Sequence, residues 1–174
     1  MALIDSLSPV TVARPDGSTT TLAELLRGQD MVVVFIRHFG CIFCREQVLR
    51  FKARMPDIAA RGYGVLVVGQ GTSAAARTFV DAASPPFEVV VDPSLAAFRV
   101  AGLRRSMART LLDPRAWLRA VAAIKHGPPR RLLGDPWQNG GVFVIDRGGH
   151  DRFRHVSRFA GDHPPLEAVL AAMS

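Results

Sequence analysis

Cys41 and Cys44 are the only thiols in the chain, three positions apart in Cys41-Ile42-Phe43-Cys44. The apolar run Met31-Val32-Val33-Val34-Phe35-Ile36 comes shortly before them and helix-forming sequence follows, so the pair falls at a strand-to-helix junction. Two cysteines on the first turn of a helix have Cα atoms within the window of about 4.4–6.8 Å that a disulfide requires. The unpaired amides at a helix start carry partial positive charge and favour a thiolate. A thiolate is the species that attacks disulfides and peroxides. The spacing therefore suits reversible thiol redox chemistry. Two other readings of the same residues stay open. Free cysteines often serve as small buried hydrophobes. A zinc or iron–sulfur site could also use them, with His38 as a third ligand. Such a site needs about four ligands, and without a second cysteine pair no metal is expected.

The residues around the pair offer supporting chemistry. Arg37 and Arg45 flank it, and a nearby guanidinium lowers a thiol's pKa. Gly40 would let the backbone turn sharply and bring the first thiol to the surface. His38 has the side-chain type to move protons near neutral pH. His126, His150, His155 and His163 lack ligand spacing and read as solvated loop or strand residues. Gly69-Gln70-Gly71-Thr72 precedes a helix but lacks the lysine and the spacing of a phosphate-binding loop.

Composition narrows the class. The chain has 174 residues, 48% of them hydrophobic, which is the size of a single domain over 1–174 with a substantial core. No run approaches the roughly 20 apolar residues that cross a bilayer, and the start of the chain lacks the pattern of a signal peptide. A cytoplasmic, reducing setting is expected, where a lone CxxC is more often catalytic than structural. The net charge is +7, with much of the arginine between 99 and 131. Few aromatics are interleaved and no nucleic-acid motif is present, so a solvated basic surface is expected rather than a specific nucleic-acid site.

The elements that must position the cysteines follow from pattern. Val10 and Val12 lead through Arg14-Pro15-Asp16-Gly17 to Thr19-Thr20-Thr21, a hairpin. Thr21 and Glu24 form a capping box for a short helix over Leu22–Leu26, which Gly28 ends. Residues 31–36 are apolar on both faces, as in a covered central strand. Val48, Phe51, Met55 and Ile58 mark a helix face, and Pro56 should divide that helix. Val65–Val68 and Phe87–Val91 read as strands, separated by a helix that Thr72 or Ser73 opens. Asp92-Pro93-Ser94 should start another helix. Leu111, Leu112, Trp117, Leu118, Val121 and Ile124 allow one or two helices over 100–135. Val142–Ile145 and Asp151–Val156 form a late hairpin, and Pro164-Pro165 opens a last helix over Leu166–Met173.

This order of elements looks like the thioredoxin fold. More closely, Phe35-Ile36-Arg37-His38-Phe39-Gly40-Cys41-Ile42-Phe43-Cys44-Arg45-Glu46 resembles the peroxiredoxin-like branch of the alkyl hydroperoxide reductase and thiol-specific antioxidant family. Gln138-Asn139-Gly140-Gly141-Val142-Phe143-Val144-Ile145 and Ala160-Gly161-Asp162-His163-Pro164 are similar to the C-terminal half of that branch. Typical members carry proline seven residues, and threonine or serine three residues, before the peroxide-reacting cysteine. Counted from Cys44 those places hold Arg37 and Cys41; counted from Cys41 they hold Val34 and His38. No cis-proline motif precedes the late strand, where Asn139-Gly140-Gly141 stands.

The resemblance implies an α/β, thioredoxin-like domain with a central mixed sheet of about five strands flanked by helices and an N-terminal hairpin extension. It implies that Asn139, Gly140 and Gly141 lie beside the cysteines and help to bind substrate. The expected function is thiol-dependent oxidoreduction by Cys41 and Cys44, with Arg37 and Arg45 assisting, most directly the reduction of hydroperoxides. A thioredoxin-type disulfide reductase is the alternative, and a non-catalytic binding or scaffold module a further one. Cys41 is expected to attack and Cys44 to resolve, although alignment with peroxiredoxins can favour the reverse. The expected partners are a peroxide or small disulfide and an external thiol reductant of thioredoxin or glutathione type. No cofactor is expected, and a homodimer is compatible.

Overall fold

The computed structural model describes residues 2–103, 105, 135 and 137–173. The helices read from Leu111 to Ile124 lie outside the described residues. Seven strands form one mixed sheet in the order β2-β1-β5-β4-β3-β6-β7. The strands are β1 (Thr11–Ala13), β2 (Thr19–Thr21), β3 (Asp30–Phe35), β4 (Tyr63–Gly69), β5 (Glu88–Val91), β6 (Gly141–Ile145) and β7 (Asp151–Val156). The helices are α1 (Leu3–Leu7), α2 (Leu22–Leu26), α3 (Ile42–Ala53), α4 (Met55–Ala59), α5 (Ser73–Ala83), α6 (Ala96–Val100) and, last in the chain, α7 (Leu166–Ala171).

β3 runs parallel to β4, with Val32 opposite Val65, and antiparallel to β6, with Val33 opposite Phe143. Both of its faces are covered, which is why Met31 to Phe35 are all buried. Alternation along β3 divides the core in two. Val32, Val34 and Ile36 join the layer beneath α3, α5 and α7, which also takes in both cysteines. Met31, Val33 and Phe35 join the opposite layer with Leu3 and Leu7 of α1, Leu22 and Leu26 of α2, and Phe98 of α6. Phe35 stands at the centre of that second layer, edge-on to Phe98 at 5.2 Å and to Phe143 at 5.6 Å.

The local signals act as expected at several ends. Thr21 accepts the Glu24 amide while Glu24 reaches back to the Thr21 amide, and Thr72 accepts from Ala75. α3 stops at Ala53, and Pro56 enters the first turn of the separate α4.

Three expectations need correction. The sheet has seven strands rather than about five, because the N-terminal hairpin is not an extension but joins the sheet, Ala13 bridging to Val91. α1 was not expected; its Leu3 and Leu7, one turn apart, are both buried. The helix after β5 begins at Ala96, not at Pro93. Buried Asp92 still supplies the acceptor for it, taking the amides of Ser94 and Ala97 through an intervening turn.

Phe143 is fully buried in the second layer, where its ring meets Phe35 edge-on and lies 5.4 Å from the Arg154 guanidinium. Phe143→Ala should therefore lower stability by about 3–5 kcal/mol. Urea unfolding will show this as a lower midpoint at an unchanged slope; a loss below about 1 kcal/mol would refute the assigned packing.

Candidate active site

The chain leaves β3, turns through Arg37-His38-Phe39-Gly40 and enters α3 at Cys41, which is the N-cap residue with extended backbone. The Cys41 carbonyl accepts the Arg45 amide at 3.0 Å, the first bond of the helix, and the Cys41 amide donates to the His38 carbonyl at 3.1 Å. The first turn of α3 holds no acidic residue. No carboxylate of that turn therefore neutralises the positive end of the helix before it reaches the sulfur.

Cys41 and Cys44 sit in the core layer, 7% and 1% exposed, as free thiols. The expectation that Gly40 lifts the first thiol to the surface is corrected, because Cys41 is buried. Gly40 is not among the residues with positive φ either. The ordering of depth stands, with Cys44 the deeper of the two.

The two sulfurs titrate in opposite directions. The Cys44 thiol donates to the Cys41 sulfur and brings the Cys41 pKa down to about 6 against the cost of burial. The Arg37 charge adds to this, as do the amides of Cys44 and Phe43. Those amides act through their field; neither closes the tight cap bond seen at Thr21 and Thr72. Cys44 is pushed well above the ordinary thiol value, first by burial and then by its bond to the Cys41 sulfur and the negative charge there. Near neutrality the pair thus shares one proton, held on Cys44, with the thiolate on Cys41. The Arg37 amide also donates to Cys44 Sγ at 3.3 Å.

Arg37 is itself only 8% exposed and is anchored by its Nε, which donates to the Gln138 carbonyl at 3.2 Å. Gln138 in turn donates through Nε2 to the Leu103 carbonyl. His38, 4% exposed, is lowered to about 4 by burial and by the Arg37 charge. It is therefore neutral at pH 7 and carries no titratable proton there, which corrects the shuttle reading. Its Nδ1 has no hydrogen-bond partner among the described residues.

Asn139, Gly140 and Gly141 lie beside this turn, but the space around the glycines is filled by the chain itself. A Cβ on Gly140 would stand 2.2 Å from the Phe35 carbonyl oxygen, and one on Gly141 would stand 2.7 Å from that of His155. The lack of a side chain at these two glycines is thus required for the close approach of neighbouring strands. Asn139 is buried and donates to the Arg158 carbonyl. Arg45 turns toward α5, where it lines a cleft with Phe39 and Phe79.

Two contributors were missed in the sequence. Gln138 holds the arginine nearest the sulfurs, and His163, read as a solvated residue, has its Nε2 3.1 Å from the Phe43 carbonyl. The loop Ala160–Pro164 that carries His163 packs on the first turn of α3, where Gly161 brings the backbone against the Phe43 ring. The only signal for either was their place inside the two tail motifs. Among the described residues no cluster of His, Cys, Asp and Glu could hold a metal, and no helix is long and apolar enough to cross a membrane.

This geometry predicts an order of effects on Cys41. Iodoacetamide labelling of the reduced protein should rise with a midpoint near pH 6. Cys44→Ala removes the largest favourable influence and should raise that midpoint by roughly 1–2 units, as expected for a hydrogen bond to a charged group. Arg37→Gln should raise it by less. A larger shift from Arg37→Gln than from Cys44→Ala would reverse this assignment.

Comparison with known proteins gives the family. The family model described as AhpC/TSA antioxidant enzyme matches residues 50–158, a span that starts just after the cysteine pair. The prostamide/prostaglandin F synthase of Bos taurus is 32% identical, over 90% of this chain and 80% of its own length. Peroxiredoxin-like 2C of Mus musculus is 28% identical, over 97% of this chain and 79% of its own length. Among solved structures, the bacterioferritin comigratory protein of Xanthomonas campestris superposes with a TM-score of 0.66 at 19% identity, over 97% and 92% of the two chains. With a thioredoxin-like sheet and this extent of likeness, the chain belongs to the AhpC/TSA antioxidant enzyme family and is a peroxiredoxin-like thiol oxidoreductase.

Proposed function

We propose that the protein reduces hydroperoxides through a redox-active Cys41–Cys44 pair that cycles between dithiol and disulfide, recharged by an external dithiol in a reducing, cytoplasmic setting. The observation that carries this reading is the placement of the pair, with Cys41 capping α3 and Cys44 on its first turn, where the Arg37 amide meets its sulfur. A thiolate on Cys41 stands at the head of α3, and its protonated partner lies three residues on.

The Cys41 thiolate attacks the terminal oxygen of the hydroperoxide, the O–O bond breaks, and the alkoxide leaves with the proton of the Cys44 thiol. Cys41 is now a sulfenic acid and Cys44 a thiolate. The Cys44 thiolate attacks the Cys41 sulfur, hydroxide departs, and the disulfide forms. The external dithiol then returns two electrons and two protons by thiol–disulfide exchange. Arg37 serves the first step as a fixed positive charge, favouring thiolate on Cys41 and stabilising the negative charge that develops on the departing oxygen. His38 stands where typical peroxiredoxins place threonine or serine before Cys41, and Val34 where they place proline. A slower turnover than that of a specialised scavenger follows from those departures.

The disulfide-reductase reading shares the same thiolate and remains the alternative. One equivalent of an alkyl hydroperoxide should remove two hydrogen masses from the reduced protein and link Cys41 to Cys44. The rate constant should rise with pH through about 6, because deprotonation of Cys41 creates the attacking species. Cys44→Ser should halt at a sulfenic acid that dimedone traps, whereas Cys41→Ser should be inert. A reduced protein that ignores hydroperoxides yet exchanges readily with small disulfides would replace the peroxidase reading with the reductase one.

A further inference from the structure

Cys41 is the N-cap of α3, which makes Cys44 the third residue of its first turn. Amides at the second and third positions of a helix have no partner in the ladder and point back toward the N-cap side chain. Here that side chain is the Cys41 thiol, and the Cys44 amide is one of the groups that favour its charged form. The Cys44 N–H and the Phe43 C=O belong to one planar peptide group. Whatever bonds to the oxygen therefore bears on the N–H across the plane. The helix ladder uses one lone pair of a carbonyl and leaves a second. At Phe43 the His163 ring reaches that oxygen, with its Nε2 3.1 Å away. A carbonyl can only accept, so Nε2 carries the proton and donates.

The strand β7 and the loop after it fix where His163 stands. Asp162 is buried; its carboxylate takes the Arg158 amide at 2.9 Å and the Arg158 Nε at 3.3 Å. The Asp162 carbonyl accepts from His155 Nε2 at 3.0 Å. Gly161, at φ +82°, brings the loop so close that a Cβ there would stand 3.1 Å from the Phe43 ring. Glu46 and Arg50 line the same cleft as His163 but pair with each other at 2.5 Å.

We propose that His163 is a positioning residue for the Cys41 thiolate: by donating to the Phe43 carbonyl it holds and polarises the peptide whose N–H faces that sulfur. Hydrogen bonds linked through a peptide strengthen one another by roughly 10–30% each. The role concerns the thiolate itself, whichever oxidant it meets.

Two variants of equal chemistry and different reach test it. In His163→Gln the amide nitrogen can take the place of Nε2, whereas in His163→Asn it stops near the place of Nδ1 and leaves the Phe43 carbonyl. The pH midpoint of iodoacetamide labelling at Cys41, located by peptide fragmentation, should rise by about half a unit in His163→Asn and stay near wild type in His163→Gln. Above all three midpoints, the Cys44 amide proton should move upfield in His163→Asn only. His150→Asn removes an exposed histidine that pairs with Asp146 and should change neither reading. Equal shifts in His163→Asn and His163→Gln, no shift in His163→Asn, or a matching shift in His150→Asn would overturn the proposal. In the wild-type protein the nitrogen shifts of the His163 ring should mark Nε2 as protonated; a proton on Nδ1 alone would overturn it without any variant. No peroxide enters these measurements, so failure to reduce hydroperoxides leaves the proposal standing, and its own failure leaves the peroxidase reading untouched.

Discussion

The placement of two sulfurs three residues apart at the head of α3, beside the Arg37 charge, is the constraint on which the site turns. Two sulfurs placed in a hydrophobic layer would ordinarily both stay protonated, because burial penalises the charged form. Here one proton is shared unequally, and the surroundings decide which sulfur keeps it. Cys41 has the open end of α3 and the Arg37 charge; Cys44, deeper in the layer, has burial against it. In the proposed cycle this asymmetry would supply an attacking group and a proton donor from two identical residues.

That asymmetry depends on a frame made by parts of the chain distant in sequence. Arg37 can remain in the interior because the Gln138 carbonyl receives its Nε, about a hundred residues away in the chain. Gln138 is held by the carbonyl of Leu103, and Gly140 lets its segment close against the end of β3. The loop at His163 braces the first turn of α3 from the other side. The tail motifs of the sequence are therefore the mould for the arginine and the helix start.

Much of this was legible in the residues, for reasons that are local. Continuous apolar character over 31–36 marks a strand covered on both sides, Thr21 with Glu24 announces a cap, and Pro56 divides a helix wherever it falls. The pairing of Ala13 with Val91 was not legible, since the partner of an edge strand is chosen by the whole sheet. The displaced start of α6 had a similar cause, as the Asp92 acceptor reaches past its neighbours to Ala97. At the site, thiol spacing and the helix start were evident, whereas the burial of Arg37 and His38 was not. A charged residue at a strand end reads as solvated until a distant carbonyl is found to hold it. The direction Arg45 takes, toward α5, was not legible either.

The lowered Cys41 pKa also bears on electron flow. A group whose pKa is depressed by folding stabilises the folded state above its unfolded value, and that stabilisation fades as the pH falls through about 6. A disulfide has no thiolate, so in the proposed cycle the helix field and Arg37 favour the reduced protein alone. Preferential stabilisation of the dithiol raises the reduction potential of the pair. In that cycle the fold that sharpens Cys41 for attack would also make the disulfide an eager electron acceptor, which low-potential thiol donors could recharge with free energy to spare.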